Sequence, residues 1–97
     1  MAYKIIWTET SVADLKKIID YLKTNWSVKV ARNFQEKLQI RLKIISENPI
    51  SGPVRDTPNI RKILITKHNY LFYTIKDKEI IINMIFDTRQ DQIIRRQ

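Results

Sequence analysis

Cysteine is missing from the 97-residue sequence. Its absence excludes disulfides and thiolate metal sites, and suits a reducing cytoplasm. Glycine occurs once and proline three times, which leaves little room for long loops or linkers. No apolar run approaches the roughly 18 residues of a membrane span. Residues 1–7 are too short, and too polar in their flanks, for a signal peptide. Acidic groups are scarce: 10 Asp and Glu stand against 18 Lys and Arg, a net charge of +8. That balance favours polyanionic partners such as nucleic acid, the ribosome or an acidic protein, although a solvated basic surface has the same composition. The expectation is one cytoplasmic domain over residues 1–97, with no metal, small-molecule cofactor or membrane anchor. A chain this short buries only about two thirds of its unfolded surface, so its core is thin.

The hydrophobic pattern divides the chain into six elements. Residues 2–7, Ala-Tyr-Lys-Ile-Ile-Trp, are β-branched and aromatic and read as a strand. Thr8, Thr10 and Ser11 are competent N-caps, and Val12, Leu15, Ile18, Ile19 and Leu22 follow at the spacing of one helical face. Asn25-Trp26-Ser27 reads as a tight corner, with Ser27 capping a second helix that buries Ala31, Phe34, Leu38, Leu42 and Ile45. Lys29, Arg32, Lys37, Arg41 and Lys43 fall on its other faces and read as a solvated surface. Asn48-Pro49 stops that helix, because the residue before proline avoids helical geometry. Three strands complete the chain at residues 60–65, 70–75 and 79–86, with turns at 67–69 and 75–79. Ile80-Ile81-Ile82 reads as a central strand covered on both faces. The fold class is α+β, in the order β-α-α-β-β-β, with a helical hairpin packed on a small, mainly antiparallel sheet.

In order along the chain stand Trp7-Thr8, Ala13-Asp14-Leu15, Ile18-x-x-Tyr21-Leu22, and Ala31 with Phe34. Asn48-Pro49-x-x-Gly52, Ile60-Arg61, Tyr70-x-Phe72-Tyr73 and Ile85-Phe86-Asp87-Thr88-Arg89-Gln90 follow. This ordered set resembles the RelE/ParE superfamily of toxins from type II toxin–antitoxin modules over nearly the whole length. The resemblance implies a small toxin that arrests growth and is neutralised by a cognate antitoxin. It leaves two mechanisms open: RelE-like members cut messenger RNA on the ribosome, whereas ParE-like members bind and poison DNA gyrase.

Metal-free RNA cleavage needs a base for the 2′-hydroxyl, a cation on the phosphate and an acid for the leaving oxygen. His68, the only histidine, has a suitable intrinsic pKa, and it reads equally as a polar turn residue. Arg61, Lys62, Lys67 and Arg89 could supply charge. By resemblance, Arg61 and Arg89 fall on cationic positions of RelE's site, whereas Ile63 and Tyr70 stand where RelE has a lysine and an arginine. A ribonuclease would therefore rest on Arg61, His68 and Arg89. The long helices, the Trp7 to Leu15 entry and the Asp87 to Gln90 ending resemble the ParE-like branch, which makes that branch the favoured expectation. Its target surface would draw on Arg55, Arg61, Lys62, Lys67 and Arg89. An acidic antitoxin would contact Trp26, Phe34, Arg61 and Arg89, with Trp7 a further aromatic near the groove. A plain basic nucleic-acid-binding module is the rival from another class. It requires Tyr70 and Phe72 on an open sheet face beside cations.

Overall fold

The computed structural model describes residues 2–52 and 59–89. Strand β1 (Lys4–Trp7) leads into helices α1 (Glu9–Asn25) and α2 (Val28–Glu47), and a single 3-10 turn, Pro49–Ser51, follows. Strands β2 (Arg61–Thr66), β3 (Asn69–Lys76) and β4 (Glu79–Asp87) complete the fold. The four strands form one sheet in the order β1-β4-β3-β2. β4 pairs antiparallel with β3 and parallel with β1, so the sheet is mixed, its one parallel pair made by the strand that precedes the helical hairpin.

Each helix begins where a hydroxyl relieves its first amides. Thr8 caps α1 reciprocally with Ser11: Thr8 Oγ1 accepts from Ser11 N at 3.1 Å, and Ser11 Oγ accepts from Thr8 N at 2.9 Å. Ser27 caps α2 by accepting from Val30 N at 3.1 Å. The inward face of α2 is Ala31, Phe34, Leu38, Leu42 and Ile45, all buried. On α1 the expected stripe is shifted: Val12 is 52% exposed and Ser11 is fully buried in its place. The capping box explains the shift, since Ser11 must turn towards Thr8 and the sheet to satisfy the helix start.

The inward side of the sheet carries Ile65, Leu71, Tyr73, Ile80, Ile82 and Ile85. In β4 the inward set changes from even to odd numbers because Tyr73 pairs with Ile82 while Phe72 pairs with Met84. Asn83 is the extra residue of this bulge, and its side-chain amide donates to Thr74 Oγ1 at 2.7 Å. A second irregularity lies between Leu64 and Thr66. Both hairpin turns are two residues long, Lys67-His68 and Asp77-Lys78. Asp77 takes φ 56°, a left-handed conformation that a short polar side chain tolerates.

β1 is shorter than β4 and covers only its first half, ending at Trp7 opposite Ile82. Helix α1 serves the rest of that edge. Thr8 Oγ1 donates to the Ile82 carbonyl at 2.7 Å, and the Asp14 carboxylate accepts from Ile85 N at 3.2 Å. Thr8→Val keeps the shape and removes both the cap and the bond to β4. It should lower unfolding free energy by about 1–3 kcal/mol. A urea midpoint displaced at unchanged slope is the expected reading, and an unmoved midpoint would contradict the role given to Thr8.

Candidate functional site

The cations picked out in the sequence separate into two groups at opposite ends of the β2–β3 hairpin. Arg61 opens β2 opposite Tyr73. Thr66 closes it, five residues further at about 3.3 Å each, or roughly 17 Å away. His68 and Lys67 form the turn beyond Thr66, and Asp87 lies opposite Asn69 at that same end, bringing Arg89 with it. His68 and Arg89 are thus neighbours, tied through Thr88, whose backbone N donates to the His68 carbonyl at 2.9 Å. The proposed ribonuclease set of Arg61, His68 and Arg89 is not assembled.

Arg61 is held in a structural knot. Its guanidinium donates to the Gly52 carbonyl at 2.8 Å. Tyr73, fully buried, accepts from Gly52 N at 3.0 Å and donates to the Pro49 carbonyl at 2.6 Å. A Cβ on residue 52 would stand 2.7 Å from the Tyr73 hydroxyl and 2.9 Å from the Lys62 carbonyl, so only glycine fits this approach. Lys62 projects from the sheet face away from the helices, its ammonium 3.7 Å from the centre of the Tyr70 ring. Phe86 is beside Tyr70 at 6.5 Å between ring centres. Tyr70 and Phe72 are therefore on the open face, while Tyr73 occupies the buried one. Arg55 lies outside the described residues.

The other group is organised by Asp87, whose side chain is fully buried. Its carboxylate accepts from Asn69 Nδ2 at 2.7 Å, from Arg89 N at 2.8 Å and from the Arg89 guanidinium at 3.3 Å. Asn69 in turn accepts from Thr66 Oγ1, which also takes the His68 N–H at 3.1 Å. The guanidinium of Arg89 stacks on Trp26, 5.5 Å from its ring, within cation–π range. Trp26 is 58% exposed, whereas Phe34 is a core side chain, 3% exposed. Phe34 reaches partners only as the floor of a cleft of about 390 Å³ between the helices and this rim. Trp7 packs against the core from β1. Among the described residues no cluster of three or more His, Asp or Glu could hold a metal ion, and no helix is long and apolar enough to cross a membrane.

Two features escaped the sequence. Asn69, which the sequence places in the 67–69 turn, is a buried strand residue; a polar side chain in a strand so apolar signals a partner, here Asp87. The Trp26–Arg89 contact joins residues 63 positions apart, and no local pattern announces it.

Residues 5–92 match the family model described as ParE toxin of type II toxin–antitoxin system, parDE. The chain belongs to this family. No curated protein sequence matches the toxin. Its fold is similar to a chromosomal ParDE system of P. aeruginosa, with TM-score 0.75 and 21% identity over 89% of this chain and 96% of that one. It is also similar to a mutant of E. coli RelE in the free state, with TM-score 0.64 and 19% identity over 98% and 93% of the two chains. The E. coli DinJ–YafQ toxin–antitoxin complex aligns with TM-score 0.63 and 13% identity over 93% and 97%. At these identities the likeness is one of fold, shared by toxins named ParE and toxins named RelE.

The two groups should respond differently to truncation. Arg61→Ala leaves the Gly52 carbonyl without its donor and should cost about 0.5–1.5 kcal/mol of stability. His68 makes no side-chain hydrogen bond to the described residues, so His68→Ala should stay within about 0.5 kcal/mol of wild type. Denaturant titration of both variants checks the pair, and equal losses would contradict the assignment.

Proposed function

We propose that this type II toxin acts in the cytoplasm as a ParE-like inhibitor, arresting growth by binding DNA gyrase without chemistry of its own. A cognate acidic antitoxin would neutralise it. The observation that carries this reading is the separation of Arg61 from His68 and Arg89. A cleavage site must bring base, cation and acid to one phosphate. Here Arg61 is committed to the Gly52 carbonyl at the far end of the hairpin. What is left is surface suited to a protein interface, where Arg, Trp and Tyr contribute most of the energy. Trp26 stacked by Arg89 is such a pair.

The antitoxin is supported by the relatives, since the P. aeruginosa system is a ParDE pair and the E. coli neighbour is a DinJ–YafQ complex. A net charge of +8 would steer an acidic polypeptide towards the toxin.

A second reading draws on the open sheet face, where Lys62, Tyr70 and Phe86 place a cation beside aromatic rings. That grouping suits contact with an RNA strand, and RelE-like ribosome-dependent cleavage would use it. The test is a supercoiling assay with purified gyrase beside a ribosome-programmed mRNA cleavage assay on one preparation. Lost supercoiling with intact message is the expected result. Cut message with unaffected gyrase would overturn the proposal in favour of the second reading.

A further inference from the structure

The cleft at the helix–sheet rim has an apolar floor and a cationic mouth. Leu22 of α1 and Phe34 of α2 lie at the floor, and Lys37, Lys67, His68 and Arg89 line the rest, with no carboxylate among the described lining residues. Lys37 and Lys67 are exposed. Arg89 is already oriented, one side of its guanidinium on Asp87 and its face on Trp26. Its Nε–H is nevertheless buried without an acceptor among the described residues. The Arg89 side chain is 23% exposed, and that exposed part offers a charge-assisted donor to an incoming carboxylate. Nucleic acid suits the cleft poorly, because base stacking needs an open aromatic face, Phe34 is 3% exposed and the exposed Trp26 ring already carries Arg89.

We infer that this cleft seats an acidic, apolar segment of a protein partner, one apolar side chain over Phe34 and one carboxylate on Arg89. The inference rests on the antitoxin reading above and assigns that partner's anchor point. Lys37 and Lys67 flank the mouth and attract further carboxylates. A volume of about 390 Å³ lies within the range of pockets that hold small ligands, enough for a pair of side chains.

The test follows the amide and indole resonances of the isotope-labelled full chain during titration with the peptide acetyl-Leu-Glu-Phe-Glu-amide. Its glutamine counterpart, acetyl-Leu-Gln-Phe-Gln-amide, and a hexauridine RNA are titrated in parallel. The acidic peptide should move Leu22, Phe34, His68 and the Trp26 indole. Binding should weaken about tenfold or more with the glutamine peptide, a loss of about 1.4 kcal/mol. The Arg89→Gln chain should weaken it similarly. Lys37→Glu with Lys67→Glu, both at exposed positions, gives the same comparison free of any folding defect. Equal binding of the two peptides, shifts confined to the Lys62–Tyr70 face, or RNA filling the cleft first would each overturn the proposal. No peptide binding by a chain that still inhibits gyrase would remove the cleft and leave the toxin mechanism standing. Peptide binding by a chain without effect on gyrase would support the cleft and remove that mechanism.

Discussion

The outer edge of β4 is the constraint on which the rest of the structure depends. A strand of nine residues is flanked by one of four, so half of its edge would face solvent unpaired. Open edges invite pairing with other chains. Here Thr8 and Asp14 of α1 take over where β1 stops, at Ile82 and Ile85. The Asn83 bulge falls at the hand-over and lets both halves of β4 point apolar residues inward. Because α1 is fastened to the sheet at its first two turns, the helical hairpin must cover the Tyr73 side. The opposite face remains open.

That placement divides the cations. The loop after α2 returns over Tyr73 through Gly52, and Arg61 closes the knot from β2. Asp87, emerging from β4 at the other end, fixes Arg89 between itself and Trp26. One arginine thus supports the scaffold, and the other is oriented at a cleft whose described lining residues include no carboxylate.

The element order, both helices, the Ser27 cap and the whole buried stripe of α2 were legible because hydrophobic period and capping chemistry are local, while Thr8 was one of three candidate caps for α1. The central place of the Ile80-Ile81-Ile82 strand was legible for the same reason, but its cover on both faces was not met: the helices lie on one side, and Ile81 on the other is half-buried. Val12 misled because capping geometry outranked its hydropathy at a helix start. The bulge at Asn83 left no signal beyond an asparagine in an apolar strand. The superfamily resemblance came from spaced motifs whose structural roles emerged only in three dimensions: Thr8 and Asp14 fasten α1, and Asp87 orients Arg89. Assigning the candidate cations needed strand register, since Arg61 and His68 are close in sequence and far apart in space. Arg61, suggested by resemblance as a catalytic cation, is engaged in holding a loop.

The most direct test of a binding mechanism is calorimetric titration of the toxin into purified DNA gyrase. The account predicts a saturable complex formed with no RNA, nucleotide or ribosome present. An absence of heat from a preparation that still arrests growth would contradict it.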